Sequence, residues 1–211
     1  MNRSTLNPDE IAPPMALALA SSFGSVEQWG TAVAALATAH GSAGGAILLV
    51  FDPQSGALSN RWAAADDASD ASVPLLTLPR SAEGVALFSP LDWPSAYQRY
   101  QDAVYAASHS LATNDITGAL VLDVRRAGVF ATAPSMLPGA AWHDPASVRE
   151  WAPHLPIDRP VLVYCVYGHE VSRVTAMRLQ SLGVQARFLI GGIDGWQRAG
   201  GATVAKGGAP S

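Results

Sequence analysis

Between residues 119 and 190 short apolar runs alternate with a helical stretch, and this alternation constrains the fold more than any other feature of the chain. Ala119–Leu122 reads as a buried strand ending at Asp123, Val161–Tyr164 as a second ending at Cys165, and Ala186–Ile190 as a third ending at Gly191-Gly192. Arg173–Leu182 reads as a helix closed by Gly183. Runs that are apolar throughout belong to strands covered on both faces, and strand–crossover–strand connectivity implies a parallel sheet. In such sheets ligands bind beyond the carboxyl ends of the strands, where Asp123, Cys165 and Gly191 fall. The expected fold class is α/β: a central parallel sheet flanked by helices, preceded by a smaller α+β domain.

The first half follows a different pattern. Residues 1–14 hold Pro8, Pro13 and Pro14 with few large apolar side chains, and read as a loose lead-in. Ser25-Val26-Glu27-Gln28 is a capping-box pattern opening a helix to Ala39, with a stop at Gly41. Ala46–Phe51 reads as a strand, Asp52–Gly56 as a turn and Leu58–Trp62 as the returning strand of a hairpin. Residues 63–92 are mixed: Asp66, Asp67 and Asp70 mark an exposed loop, and Pro74, Pro79 and Pro90 break any long element. Trp93–Ser110 reads as a helix from the spacing of Ala96, Tyr97, Tyr100, Val104 and Ala107. Thr113-Asn114-Asp115 reads as the linker. The expected organisation is a lead-in (1–14), an α+β domain (15–112), the α/β domain (113–205) and a flexible tail (206–211).

Charge agrees with two parts: residues 1–114 carry four Lys/Arg against ten Asp/Glu, and residues 115–211 carry nine against seven. Neither half has the dense basic patch that nucleic acid requires, so no nucleic-acid partner is expected. The N-terminus lacks a basic region followed by an apolar core, and no apolar run is long enough to span a bilayer. A soluble, cytoplasmic protein without a membrane partner is expected. The one cysteine excludes an intramolecular disulfide and suits a reducing compartment.

A lone cysteine is most often a core residue, but the setting of Cys165 is particular. It follows the strand Val161–Tyr164 and precedes Val166, Tyr167, Gly168, His169 and Glu170, after which a helix begins. A thiol at the base of such a loop, beside a helix N-terminus, meets converging backbone N–H groups that stabilise a thiolate or the terminal sulfur anion of a persulfide.

Four blocks in order, Leu122-Asp123-Val124-Arg125, Leu137-Pro138-Gly139-Ala140, Val163-Tyr164-Cys165 with Gly168, and Leu189-Ile190-Gly191-Gly192-Ile193-Asp194-Gly195-Trp196, resemble the signatures of rhodanese-like domains. The resemblance implies a small α/β domain with Cys165 as catalytic nucleophile and residues 166–170 as active-site loop. The stretch from Cys165 to Ser172 is similar to loops of bacterial rhodanese-like proteins associated with chromate resistance. Many thiosulfate-using members carry an arginine where Glu170 stands, and a carboxylate pointing into the loop repels an anionic donor. Phosphatase loops carry an arginine six residues after the cysteine, where this chain has Val171. Asp123 and Arg125 either brace the loop, contact an anionic ligand, or form a structural ion pair at a strand end. His169 either orients a substrate or is a solvated bystander. Gly191-Gly192 reads as a tight turn passing close to the loop, and Trp196 as core packing.

In the first half, Ser22-Phe23-Gly24-Ser25, Gly41-Ser42, Leu58–Ala63, Pro74-Leu75-Leu76 and Trp93 with Ala96, Tyr97 and Tyr100 resemble the C-terminal domain of iron/manganese superoxide dismutases. On that alignment Leu91 and Ser95 stand where the family places metal-binding Asp and His. His40, His109, His143, His154 and His169 have no paired spacing on one helix, so no metal and no cofactor are expected. The first half reads as a degenerate scaffold for packing, homodimerisation or partner binding.

The expected activity is sulfur transfer: Cys165 takes sulfane sulfur from a small donor and passes it to a thiol or cyanide acceptor. Two other readings stay open: a non-catalytic anion- or partner-binding or sensing module, linked by the loop similarity to chromate resistance, and cysteine-based reduction of an oxyanion by an external reductant.

Overall fold

A computed structural model describes residues 10–40, 45–63, 71–78, 80–81, 84–85 and 91–206. The chain divides into two compact units, Met1–Pro53 with Ala57–Ala103, and Gln54–Gly56 with Val104–Ser211.

The first unit opens with helices α1 (Pro13–Phe23) and α2 (Val26–Ala39), followed by strands β1 (Ala46–Phe51), β2 (Leu58–Ala63) and β3 (Val73–Leu78). Two-residue strands β4 (Arg80–Ser81) and β5 (Gly84–Val85) precede helix α3 (Trp93–Ser108), whose last turns belong to the second unit. Pro13 and Pro14 occupy the first turn of α1, where a missing N–H costs nothing, and Ile11 and Met15 are buried. Residues 11–14 are therefore folded rather than part of a loose lead-in; residues 1–9 lie outside the described residues. Ser25 caps α2 by accepting from the Gln28 N–H at 3.1 Å, as the capping pattern predicts.

β1 pairs antiparallel with β2 and also with β3, so it is the central strand of its sheet, which accounts for its uninterrupted apolar run. Among the described residues of 63–92, a short strand, β3, includes Pro74. Pro74 sits at the edge of the sheet, opposite the irregularity between Leu49 and Val50, a position where a strand tolerates a missing donor. Asp66, Asp67, Asp70, Pro79 and Pro90 lie outside the described residues. Trp29 meets Trp93 edge-on at 5.5 Å, and Phe51 meets Tyr100 edge-on at 5.7 Å, in the core of this unit.

The second unit is the expected α/β fold. Its elements are β6 (Ala112–Thr113), β7 (Leu120–Asp123), α4 (Ala127–Thr132), β8 (Ser135–Met136), β9 (Ala141–Trp142), α5 (Val148–Trp151), β10 (Val161–Tyr164), α6 (Glu170–Ser181), β11 (Ala186–Leu189), α7 (Gly192–Arg198) and β12 (Val204–Ala205). Five strands pair in parallel in the order β6-β11-β10-β7-β9, and β8 pairs antiparallel with β12. Thr113, read as linker, lies in β6 and pairs with Leu189.

Strand alternation divides the core. Val161 and Val163 pack with Leu122, Val124, Leu179 and Phe188 on one face, and Leu162 and Tyr164 pack with Val121, Leu137, Leu189 and Ile193 on the other. Each such side chain, fully buried, contributes about 1.5–3 kcal/mol. Lys206, expected in a flexible tail, is held by its N–H to the Pro134 carbonyl at 3.0 Å and by its ammonium to the carbonyls of Phe130 and Ala131.

Candidate functional site

β10 runs apolar and buried to Tyr164, and the chain then leaves the sheet at Cys165. Helix α6 begins at Glu170, so the loop is residues 166–169; Glu170, expected in the loop, is the first helical residue and only 4% exposed. Gly168 turns the loop at φ +70°, and a Cβ there would fall 2.8 Å from the Leu189 carbonyl oxygen and from the Gly191 nitrogen. Gly192 closes the same contact from the other side. At φ +59°, its absent Cβ leaves room for the carbonyl oxygens of Cys165 and Val166, each 2.5 Å from where that carbon would sit. The glycine pair thus permits the close approach expected of it.

Gly192→Ala is expected to lose about 2–3 kcal/mol of stability, because left-handed backbone strain of about 1–2 kcal/mol adds to a clash with carbonyl oxygens that cannot move freely. Gly183 has φ +84° and open space around it, so Gly183→Ala carries the strain alone. Urea denaturation of both variants is the check, and equal losses would refute the close-approach argument.

The loop's peptide groups are sorted by direction. The Cys165 carbonyl accepts from the Ile193 N–H and the Val166 carbonyl from the Asp194 N–H, both at 3.0 Å. The Gly168 carbonyl accepts from Arg173 Nε at 2.9 Å, and the His169 carbonyl from the Arg173 N–H at 3.2 Å and the Ser172 hydroxyl at 3.4 Å. In a planar trans peptide the N–H points opposite to the carbonyl. These contacts therefore fix the following N–H groups, at Val166, Tyr167, His169 and Glu170, to point away from the acceptors that hold the oxygens. Among the described residues, the N–H groups of Val166, Tyr167, Gly168 and His169 have no acceptor. The first-turn amides of α6 at Val171 and Ser172 also lack one, and His169 offers no side-chain cap.

Cys165 is 6% exposed, and its Sγ lies 3.2 Å from the Ser172 hydroxyl. Tyr167 is 54% exposed, and its ring lies 5.6 Å from that of the exposed His169, which is 6.2 Å from the ring of Tyr105. Burial raises the Tyr105 pKa, the charges of Glu170 and Cys165 add to the shift, and Arg173 opposes it. Ser172, Arg173 and Tyr105 belong to this site although sequence reasoning assigned them no role. Ser172 and Arg173 sit on the first turns of the helix after the loop, a placement that could have singled them out; Tyr105, on an earlier helix, left no signal.

Asp123 and Arg125 do not join the thiol. Arg125 makes a forked ion pair with Asp123, with Nε 2.9 Å from both carboxylate oxygens, and also donates to the Ser135 carbonyl at 2.8 Å. The Tyr164 hydroxyl donates to Asp123 at 2.8 Å and accepts from the Leu137 N–H at 3.1 Å. Burial and the Asp123 charge push the Tyr164 phenol far above its ordinary pKa, which keeps it a donor. Asp123 and Arg125 thus form the ion pair at the strand end that is one of the readings open for them. Trp196 donates to the Ala202 carbonyl at 2.8 Å and packs against the second core cluster, in keeping with a packing role.

Among the described residues, no group of three or more His, Cys, Asp or Glu side chains is placed to hold a metal ion, and no helix is long and apolar enough to cross a membrane.

The family model of the rhodanese-like domain matches residues 105–199. No curated protein matches the chain. Several solved structures are similar to part of the chain. A rhodanese-related protein from Thermoplasma volcanium is 23% identical and covers 47% of this chain and 90% of its own, with a TM-score of 0.36. Thiosulfate sulfurtransferase from Pseudomonas aeruginosa is 26% identical over 41% of this chain and 16% of its own, with a TM-score of 0.36. A protein of unknown function from Rhodopseudomonas palustris, described as a possible tyrosine phosphatase, is 20% identical over 49% of this chain and 93% of its own, with a TM-score of 0.42. The match to residues 105–199 lends no support to the superoxide dismutase resemblance of residues 15–112.

Proposed function

We propose that the rhodanese-like domain at residues 105–199 is a sulfurtransferase that carries sulfane sulfur on Cys165. The observation that carries this reading is the run of loop N–H groups without acceptors directly after Cys165, because such donors, where they meet a thiol, stabilise negative charge on sulfur. The α6 N-terminus adds N–H donors without acceptors at Val171 and Ser172.

In the first step the Cys165 thiolate attacks the terminal sulfur of a donor. The new sulfur–sulfur bond forms as the donor's own bond to that sulfur breaks, and the leaving group departs with the electron pair: sulfite from thiosulfate, a thiolate from an organic persulfide. The product is a Cys165 persulfide anion, held by the same amides. Cyanide or an acceptor thiolate then attacks the terminal sulfur, releasing thiocyanate or a new persulfide and restoring the thiolate. With one cysteine in the chain, no internal thiol can discharge the persulfide, so the acceptor is external.

The near-complete burial of Cys165 favours a second reading, in which the loop only binds an anion or a partner. The first unit, with Leu91 and Ser95 in place of metal ligands on the superoxide dismutase alignment, would then serve assembly, including homodimerisation. Intact mass separates the two readings. Brief incubation of the reduced protein with sulfane-sulfur donors is expected to add one sulfur atom, which cyanide removes as thiocyanate. A folded protein that gains no sulfur from thiosulfate, polysulfide or an organic persulfide, and whose thiol is alkylated no faster than a free thiol, would leave the binding module standing.

A further inference from the structure

We infer that Arg173 is the positioning residue of the Cys165 loop, setting through the Gly168 carbonyl the direction in which the loop presents its amides. The inference deepens the sulfurtransferase reading and rests on it for its meaning in catalysis. Three observations converge on this side chain. Its Nε donates to the Gly168 carbonyl at 2.9 Å, at the glycine whose left-handed φ of +70° turns the loop. Its Nη1 donates to the hydroxyl of Ser108 at 3.1 Å, and that fully buried serine is itself tied to the Val104 carbonyl at 2.6 Å. Its guanidinium carbon lies 4.0 Å from the centre of the Tyr105 ring and 4.4 Å from that of Phe188, so a planar cation is held between two aromatic rings.

Such a clamp fixes both position and plane. A guanidinium that bonds through a fork and stacks on two rings has little freedom left, and the carbonyl it holds inherits that rigidity. Because the Gly168 carbonyl and the His169 N–H belong to one peptide group, pinning the oxygen also fixes the direction of that N–H, opposite to the guanidinium. The adjacent group is pinned by the same residue through its backbone, since the Arg173 N–H holds the His169 carbonyl at 3.2 Å. Arg173 thus fixes the direction of these donors without touching the sulfur, and its charge is engaged by the loop, Ser108 and the rings.

The test uses full-length Arg173→Met and Arg173→Lys variants and reads two rates: alkylation of Cys165 by iodoacetamide at neutral pH, and persulfide formation across donor concentrations. Arg173→Met, folded by circular dichroism, is expected to be alkylated about tenfold more slowly and to lose at least about tenfold in kcat with KM little changed, since thiolate stabilisation is lost rather than donor binding. A purely structural role predicts the opposite for alkylation, because a loosened loop exposes the buried thiol and speeds its reaction. Arg173→Lys keeps the charge without the planar fork, so its rates should fall between the two; if Arg173→Met does not fold, Arg173→Lys alone decides. Wild-type or faster alkylation in a folded variant overturns the inference. If the wild-type protein forms no persulfide, the sulfurtransferase reading fails, while the alkylation rates still report on Arg173.

Discussion

Replacing Cys165 by serine is expected to abolish sulfur transfer while leaving the fold in place. The chain has one cysteine, so every sulfur atom gained as a protein persulfide must sit on this residue, and the variant should show no mass gain with any donor. The loss should exceed about 10³-fold in thiocyanate formation, because a serine hydroxyl is neither ionised at neutral pH nor able to form a stable sulfur adduct. Stability should change little. The serine hydroxyl would take the place of Sγ, which lies 3.2 Å from the Ser172 hydroxyl, and that ready partner limits the cost to about 1 kcal/mol. Retention of cyanide-dependent thiocyanate release by a folded Cys165→Ser protein would remove the persulfide from the mechanism. Loss of release together with loss of the far-ultraviolet spectrum would mean that the sulfur holds the fold instead.

The central strands are legible because burial on both faces leaves an unmistakable apolar run: the pattern matches Val161–Tyr164 to the residue, and Leu120–Asp123 and Ala186–Leu189 to within one. β6 and β9, two residues each at the sheet edges, have too few residues to show any period, and Ala112–Thr113 passed for part of a linker. For the prolines, position matters more than presence. Pro13 opens a helix and Pro74 lies at a sheet edge, and both places tolerate a missing N–H. The site was legible as far as it is local. The placement of Cys165 follows from a strand, a short loop and a helix in succession, and the close approach at Gly192 from the paired glycines after the next strand. The Arg173 clamp was not, because its partners, Ser108 and Tyr105, come from the end of a helix that belongs to a different part of the chain. No spacing rule connects them.

Asp123→Ala should cost the second unit about 3–5 kcal/mol, the usual penalty for leaving one member of a buried ion pair without its partner. Asp123 is fully buried and Arg125 is 4% exposed, so water cannot replace the lost carboxylate without opening the core. The damage would spread beyond the arginine. Tyr164 would lose the acceptor for its hydroxyl, and that hydroxyl holds the Leu137 N–H at the end of β8, while Arg125 spans from Asp123 to the Ser135 carbonyl on the same strand. A domain with total stability of about 5–15 kcal/mol would survive only marginally, with a clear fall in its urea midpoint. The double variant Asp123→Leu/Arg125→Met should recover much of the loss, because it removes the stranded charge and fills the same space with apolar atoms. It would still leave the Tyr164 hydroxyl without its acceptor. Adding Tyr164→Phe should therefore help in the double variant and harm in the wild type, a change of sign measurable by urea denaturation of the four proteins. A loss under about 1 kcal/mol for Asp123→Ala, or a Tyr164→Phe effect independent of Asp123, would show that the pair does not hold this end of the sheet together.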